Sequence, residues 1–258
     1  MLFSIAISTY EANGKGVNYL KKNLNQIGNQ TYKNLEIIVS DHSKDDKIKN
    51  LCNTFDNLNI YYFKNTDDYG SSSSNTNNAI NKCRGSLIKI MFIDDYFENK
   101  DAIKLIINEF DKNPNKKWLA NSYFHTDNSI NYHSIFHPSW NPCMIFQNTI
   151  GCPSAITIRN DIEIRFDKNL LWFMDTDFYH RIYIKYGEPI FLLKPIIVNL
   201  IHNDQVTNRI TDEIVLKEKN YLINKYNISK KFWYIYHYLW KDKTVLDTNL
   251  ESTLTRYT

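Results

Sequence analysis

Residues 87–97 read LIKIMFIDDYF. The stretch 87–93 is apolar apart from Lys89, and its length suits a buried strand. It runs straight into two carboxylates, Asp94 and Asp95. Acids are rarely buried without a partner, and neighbouring acids repel unless something positive sits beside them. The stretch therefore predicts a strand whose exit holds a cation or a ligand.

Working outward, the same pattern recurs. FSIAIS (3–8) reads as a first strand ending at Thr9 and Tyr10, and VNYLKKNLNQI (17–27) puts Val17, Leu20, Leu24 and Ile27 on one helical face. LEIIVSD (35–41) is a short apolar run ending in Asp41. SKDDKIKNLCNTF (43–55) predicts a helix opened by a capping-box-like Ser43 and Asp46. NIYYF (59–63) predicts a third strand, and GSSSSNTNNAINKCRG (70–85) a flexible serine-rich loop running into a helix. AIKLIINEFDKNP (102–114) predicts a helix stopped by Asn-Pro. Strand and helix thus alternate four times, which argues an α/β fold with a mainly parallel sheet flanked by helices. Ligands of such sheets sit beyond the carboxyl ends of the strands, where Thr9, Tyr10, Asp41, Asp94 and Asp95 all fall.

Past residue 115 the pattern loosens. WLANSYF (118–124) and SAITI (154–158) predict strands, 125–150 reads as loop, and DTDFYHRIYIKYG (175–187) predicts a helix stopped by Gly187. Helices near 211–225 and 229–241 are expected to close the chain. The organisation expected is a domain over 1–210, with halves at 1–100 and 101–210, and a helical extension over 211–258 packed on it.

Composition narrows the class. Of 258 residues, 43% are hydrophobic and 23% charged, an ordinary globular balance. A net charge of +3 with scattered basic residues argues against a nucleic-acid partner. Cys52, Cys83, Cys143 and Cys152 show no CxxC pair and no zinc spacing, which suits reduced thiols. His125, His133 and His137 match no closed zinc site, and a variable acceptor loop is the better reading. No signal peptide or membrane-spanning run is visible, so a cytoplasmic or membrane-peripheral location is expected, with FWYIYHYLW (232–240) touching a membrane surface at most. The oligomeric state is not legible.

Four segments together resemble a known family. AISTYE (6–11), NQTYKNLEIIVSDHSKDD (29–46), NNAINKCRGSLIKIMFIDDYF (77–97) and FMDTDFYHRIYIKYG (173–187) are similar, in order and spacing, to the signature blocks of inverting GT-A glycosyltransferases of family 2. The resemblance implies a GT-A, Rossmann-like fold and transfer of a sugar from a UDP-sugar, UDP-GlcNAc ahead of UDP-Glc, to a glycan, lipid-linked saccharide or other hydroxyl acceptor. It implies Mn2+ or Mg2+ on Asp95, with His202 as a second metal or phosphate contact, and Asp94 toward the ribose and phosphates. Thr9, Tyr10, Glu11, Asp41 and Asn77 would hold the nucleoside, with Asp41 accepting the uracil N–H. Asp175 would be the base that takes the acceptor proton, and Asp177 a supporting acid. Gly151, Ser154, Trp140 and Trp172 would wall the sugar and acceptor pocket. Two positions depart from the family: Thr76 stands where an Arg is frequent, and Met174 where the Glu of the Glu-Asp pair is usual. These departures leave open a catalytically weak UDP-sugar-binding module. A nucleotidyltransferase is disfavoured, because STYEANGKG (8–16) carries no basic cluster at the turn.

Overall fold

A computed structural model describes residues 1–141, 144–203 and 205–228. The helix expected near 229–241, the stretch 232–240 and Cys143 lie outside the described residues. The chain divides into two units, Met1–Ile210 and Thr211–Thr258.

In the first unit, β1 (Phe3–Thr9), β2 (Leu35–Asp41), β3 (Ile60–Lys64) and β4 (Leu87–Phe92) are the strands read from the apolar runs. They are joined by α1 (Gly16–Gly28), α2 (Lys47–Cys52) and α3 (Ser72–Lys82), and β5 (Tyr96–Phe97) and α4 (Ala102–Lys112) follow. β6 (Trp118–Thr126), β7 (Ser134–Phe136), β8 (Ile156–Arg159), α5 (Met174–Tyr186) and β9 (Ile190–Leu200) complete it. All run in one mixed sheet, ordered β3-β2-β1-β4-β8-β6-β9-β5, with β7 paired on β6. The long ladders, β1 with β2 and β4, β2 with β3, and β6 with β9, are parallel. The short ladders of β8 with β4 and β6, of β5 with β9, and of β7 with β6 are antiparallel. The second unit's described element is α6 (Asp212–Lys225), capped by the Thr211 hydroxyl.

β1 and β2 are buried at every residue, as strands covered on both faces require. Phe3, Ile5 and Ile7, with Ile37, Val39, Leu87 and Met91, meet Leu20, Leu24 and Ile27 of α1 and Ile103, Ile106 and Phe110 of α4 in one core. A buried carboxylate paired with an exposed guanidinium pins the opposite end of the sheet: Glu36 accepts from Arg84 Nε at 2.9 Å and Nη2 at 2.7 Å, and from Ser4 Oγ at 2.6 Å.

Three local expectations change. The serine-rich run is helix, not flexible loop: Ser71 caps α3 by accepting from Ser74 N, and Ser73 and Ser74 are buried. The capping box at Ser43 does not form: α2 begins four residues later, and the Ser43 hydroxyl is buried without a partner. The segment 125–150 contains a strand, β7, which folds back on β6. Among the described residues no helix is long and apolar enough to cross a membrane. Cys52, Cys83 and Cys152 are free thiols.

Candidate active site

The parallel strands β1, β2 and β4 end along one edge of the sheet, and a cavity of about 600 Å³ opens there. Three arcs of chain line it. The first carries Ser8, Tyr10, Glu11, His42, Tyr69, Ser72 and Asn75; the second Asp94, Asp95, Cys152, Pro153, Asp175 and Asn199; the third Ile201 and the segment Gln205–Arg209.

The acid pair sits at the centre. Tyr96 of β5 faces Val198 of β9, so Asp95, one residue earlier, comes opposite Asn199. Asn199 Nδ2 donates to Asp95 Oδ1 at 2.8 Å, and the Ser154 hydroxyl also bonds this carboxylate. Ser154 is itself held by the Phe92 N–H at 2.9 Å. Asp95 is almost wholly buried, and loss of water, reinforced by the charge of Asp94, raises its pKa above the usual carboxylate range. Asp94 is less buried, and its Oδ2 lies 2.8 Å from His202 Nε2. His202 in turn stacks on Tyr19 with ring centroids 5.0 Å apart.

These carboxylates fit a hard divalent cation. They offer oxygen donors at the cavity floor, and the repulsion between them is what a cation relieves. Among the described residues no group of three or more His, Cys, Asp or Glu side chains is placed to hold a metal. That suits an ion that completes its shell with water and phosphate oxygens. His202, expected as a second metal or phosphate contact, stands against the acid pair with Nε2 at Asp94 Oδ2, a geometry that orients the carboxylate.

Asp175 lies in the first turn of α5 and lines the same cavity. Desolvation alone pushes its pKa up to about 7. Asp177 does not reach the cavity; it pairs with Arg181 one turn on, Nη2 to Oδ2 at 2.7 Å. Met174 is buried beside the Ser73 hydroxyl.

The nucleoside residues divide. Tyr10 and Glu11 line the cavity; Glu11 Oε1 accepts from the Tyr69 hydroxyl at 3.2 Å, and Glu11 Oε2 is buried without a partner among the described residues. Thr9 and Asp41 are wholly buried and do not line it. The Asp41 carboxylate accepts from Tyr62 Oη at 2.7 Å, Ser43 N at 2.8 Å and Thr9 Oγ1 at 3.2 Å, with Lys64 Nζ 3.9 Å away, so the fold occupies most of its acceptor positions and leaves room for one more donor. Asn77, expected beside the donor, has its amide closed on the Phe166 backbone by two bonds of 2.8 Å. Asn75 and Ser72 occupy the lining of α3 instead.

The expected sugar wall divides too. Ser154 supports Asp95, and its neighbours Cys152 and Pro153 line the cavity. Gly151 stands at φ +108°, and a Cβ there would lie 2.6 Å from the Tyr123 ring, so its lack of a side chain serves packing. Trp140 does not line the cavity, and Tyr183 stacks on one of its faces at 3.5 Å between centroids. Trp172 is exposed and packs edge-on to Phe173, away from the lining.

Sequence reasoning missed His42, Tyr69, Asn75, Asn199 and Arg209, all at the cavity. Arg209 is exposed, and among the described residues it makes no ion pair. Its sequence signal was faint: a single cation seven residues beyond a histidine.

Comparisons with known proteins agree with one another. A profile described as Glycosyl transferase family 2 matches residues 4–161. A protein of Rickettsia typhi described as an uncharacterized glycosyltransferase is 30% identical over 112 residues, 43% of this chain and 33% of that protein. The crystal structure of S. aureus TarS in complex with UDP superposes with a TM-score of 0.62 at 20% identity, over 79% of this chain and 61% of that one. TarS in complex with UDP-GlcNAc gives 0.64 at 18% identity, over 82% and 62%. The mannosyltransferase PcManGT from Pyrobaculum calidifontis, in complex with GDP-Man and Mn2+, gives 0.56 at 14% identity, over 78% and 57%. The matched region thus spans 33% of the curated relative and 61% of the first TarS chain.

Proposed function

The chain belongs to glycosyltransferase family 2 and has the GT-A fold, and on that premise we propose that it transfers a sugar from a UDP-sugar to a hydroxyl acceptor with inversion, aided by a divalent cation. The observation that carries the reading is a single cavity holding both the Asp94–Asp95 pair and the desolvated Asp175. A diphosphate leaving group needs compensating charge at one end, and an attacking hydroxyl needs a base at the other.

Each residue then has a task. Asp95, braced by Asn199 and Ser154, and Asp94, braced by His202, hold the cation. Mn2+ or Mg2+ bound there supplies the charge that stabilises departing UDP. Tyr10 and Tyr69 offer ring faces to the base, and the unpartnered Glu11 Oε2 suits a ribose hydroxyl. Arg209 approaches the diphosphate and supplies the positive charge that Thr76 does not. Asp175 accepts the proton of the acceptor hydroxyl as it attacks the anomeric carbon from the face opposite UDP. UDP-GlcNAc is the leading donor and UDP-Glc the next, which the UDP and UDP-GlcNAc complexes of TarS support. The acceptor proposed is a glycan or a lipid-linked saccharide. The domain proposed to carry this chemistry is 1–210.

Two variants test the reading. Asp95→Ala is expected to lose Mn2+-dependent UDP binding by calorimetry, and wild-type affinity would remove Asp95 from the metal site. Asp175→Asn is expected to bind UDP normally while sugar transfer falls by about 10²-fold or more. Retained turnover would exclude Asp175 as the base. UDP release absent for every donor and acceptor tried with the wild type would favour a binding module.

A further inference from the structure

Asp41 is wholly buried and does not line the cavity, which leaves a place at the lining for a second group to read the base. His42 follows it directly, is buried, and lines the nucleoside end of the cavity with Tyr10 and Tyr69. Its ring is tilted against Tyr69 with centroids 5.7 Å apart. Nε2 lies 2.8 Å from Asn65 Nδ2 and 3.1 Å from the Asp67 carbonyl, while Nδ1 has no partner among the described residues.

The two neighbours make opposite demands on Nε2. An amide nitrogen asks for a lone pair there, and a carbonyl asks for a proton. The surrounding bonds decide between them. The Asp67 N–H donates to Asn65 Oδ1 at 3.1 Å, which fixes the amide with its nitrogen toward His42. That nitrogen also points at Asn75 Oδ1, 3.4 Å away. Asn75 cannot be flipped, because its Nδ2 donates to the Thr9 carbonyl at 2.9 Å and its Oδ1 accepts from the Ser40 hydroxyl at 2.6 Å. The Asp67 carbonyl has another donor in the Ser74 hydroxyl at 3.4 Å. Nε2 is therefore the acceptor and the ring proton sits on Nδ1. Burial also lowers the pKa of the ring, which keeps it neutral with one proton to place.

We infer that His42 is a base-reading residue of this protein, with its Nδ1–H donating to a ring carbonyl of the donor nucleobase. The inference rests on the reading of this cavity as a nucleotide-sugar site, and under that reading the acceptor is uracil O4. A fixed donor at this point selects a carbonyl and rejects the exocyclic amine that cytosine carries in its place. Specificity thus comes from a network in which Ser40 and Asn65 both donate to Asn75 Oδ1, the Asp67 N–H donates to Asn65 Oδ1, and the amide so fixed donates to His42 Nε2.

The test combines nitrogen NMR with calorimetry on the full chain. In the ¹⁵N-labelled wild type, the His42 imidazole is expected to show the Nδ1–H tautomer, with its signals moving when UDP is added with Mn2+. His42→Phe keeps the aromatic wall and removes the donor; UDP affinity is expected to fall about fivefold or more, while CDP affinity stays put. Asn65→Leu removes the amide, lets Nε2 take the proton for the Asp67 carbonyl, and is expected to narrow the preference for UDP over CDP. An Nε2–H tautomer in the wild type overturns the inference whether or not either variant folds, and so does unchanged UDP affinity in His42→Phe. GDP bound in place of UDP, with the same dependence on His42, would overturn the uridine donor and leave the carbonyl-reading role standing. No nucleotide bound by the wild type would overturn both.

Discussion

Asp175 carries a carboxyl raised to about 7 by desolvation, against 3.8 in water. A base must be ionised, so kcat/KM is expected to climb with pH below about 7 and level off above it. The same shift acts on stability with the opposite benefit. Between the two pKa values the folded state holds a proton that the unfolded state has lost, so this group's contribution to stability falls as pH rises through that window. Asp175→Asn has no such cost. Its melting temperature relative to wild type is expected to rise between about pH 4 and 7 and hold steady above; a constant difference across that range would refute the shift. Gly151→Ala faces a left-handed backbone and the Tyr123 ring, and a loss of roughly 1–3 kcal/mol is expected from urea unfolding. The acids were legible as residues because strand ends and acid pairs leave a mark in sequence. What was not legible was their orientation. Asp41 and Asn77 sit where the pattern puts them, yet their side chains are spent on Tyr62 and on the Phe166 backbone, contacts that span 21 and 89 residues. His42 and Arg209 carry no periodic or motif signal at all.

Secondary-structure elements were read better where burial dictates the pattern. β1, β2 and β4 are apolar runs because both faces are covered, and α1 and α4 show their buried stripes plainly. The start of α3 was misread because serine is a poor helix former in isolation. Tertiary packing overrides this: the Ser73 hydroxyl donates to the Leu170 carbonyl at 3.0 Å, and Ser71 supplies the cap. Ser71→Ala is expected to cost about 1 kcal/mol by thermal or urea unfolding, whereas the solvent-facing Lys168–Asp68 pair should yield less than about 1 kcal/mol when Lys168 is replaced by Ala. β9 runs unbroken through Lys194 and Pro195, its register on β6 shifting between Asn121 and Tyr123. That irregularity is a β-bulge in effect, and it precedes the residues that reach the cavity.

At the scale of the molecule, the α/β class followed from alternation, and the reversal at β8 did not. Local periodicity says nothing about which strand a distant one joins, and β8 inserts antiparallel between β4 and β6. The domain expected over 1–210 can be tested directly: a chain ending at residue 210 should bind UDP with Mn2+ within about twofold of the full chain, since among the described residues all that line the cavity lie before that point. The topology also imposes a timetable on synthesis. Asp94 and Asp95 leave the ribosome 108 and 104 residues ahead of His202 and Asn199, the side chains that brace them. At translation rates of about 5–20 residues per second, the two acids wait roughly 5–20 seconds as an unbraced pair of like charges. Under the proposed function, donor binding is expected to switch on only when the last strand of the sheet arrives, because until then nothing braces the two acids.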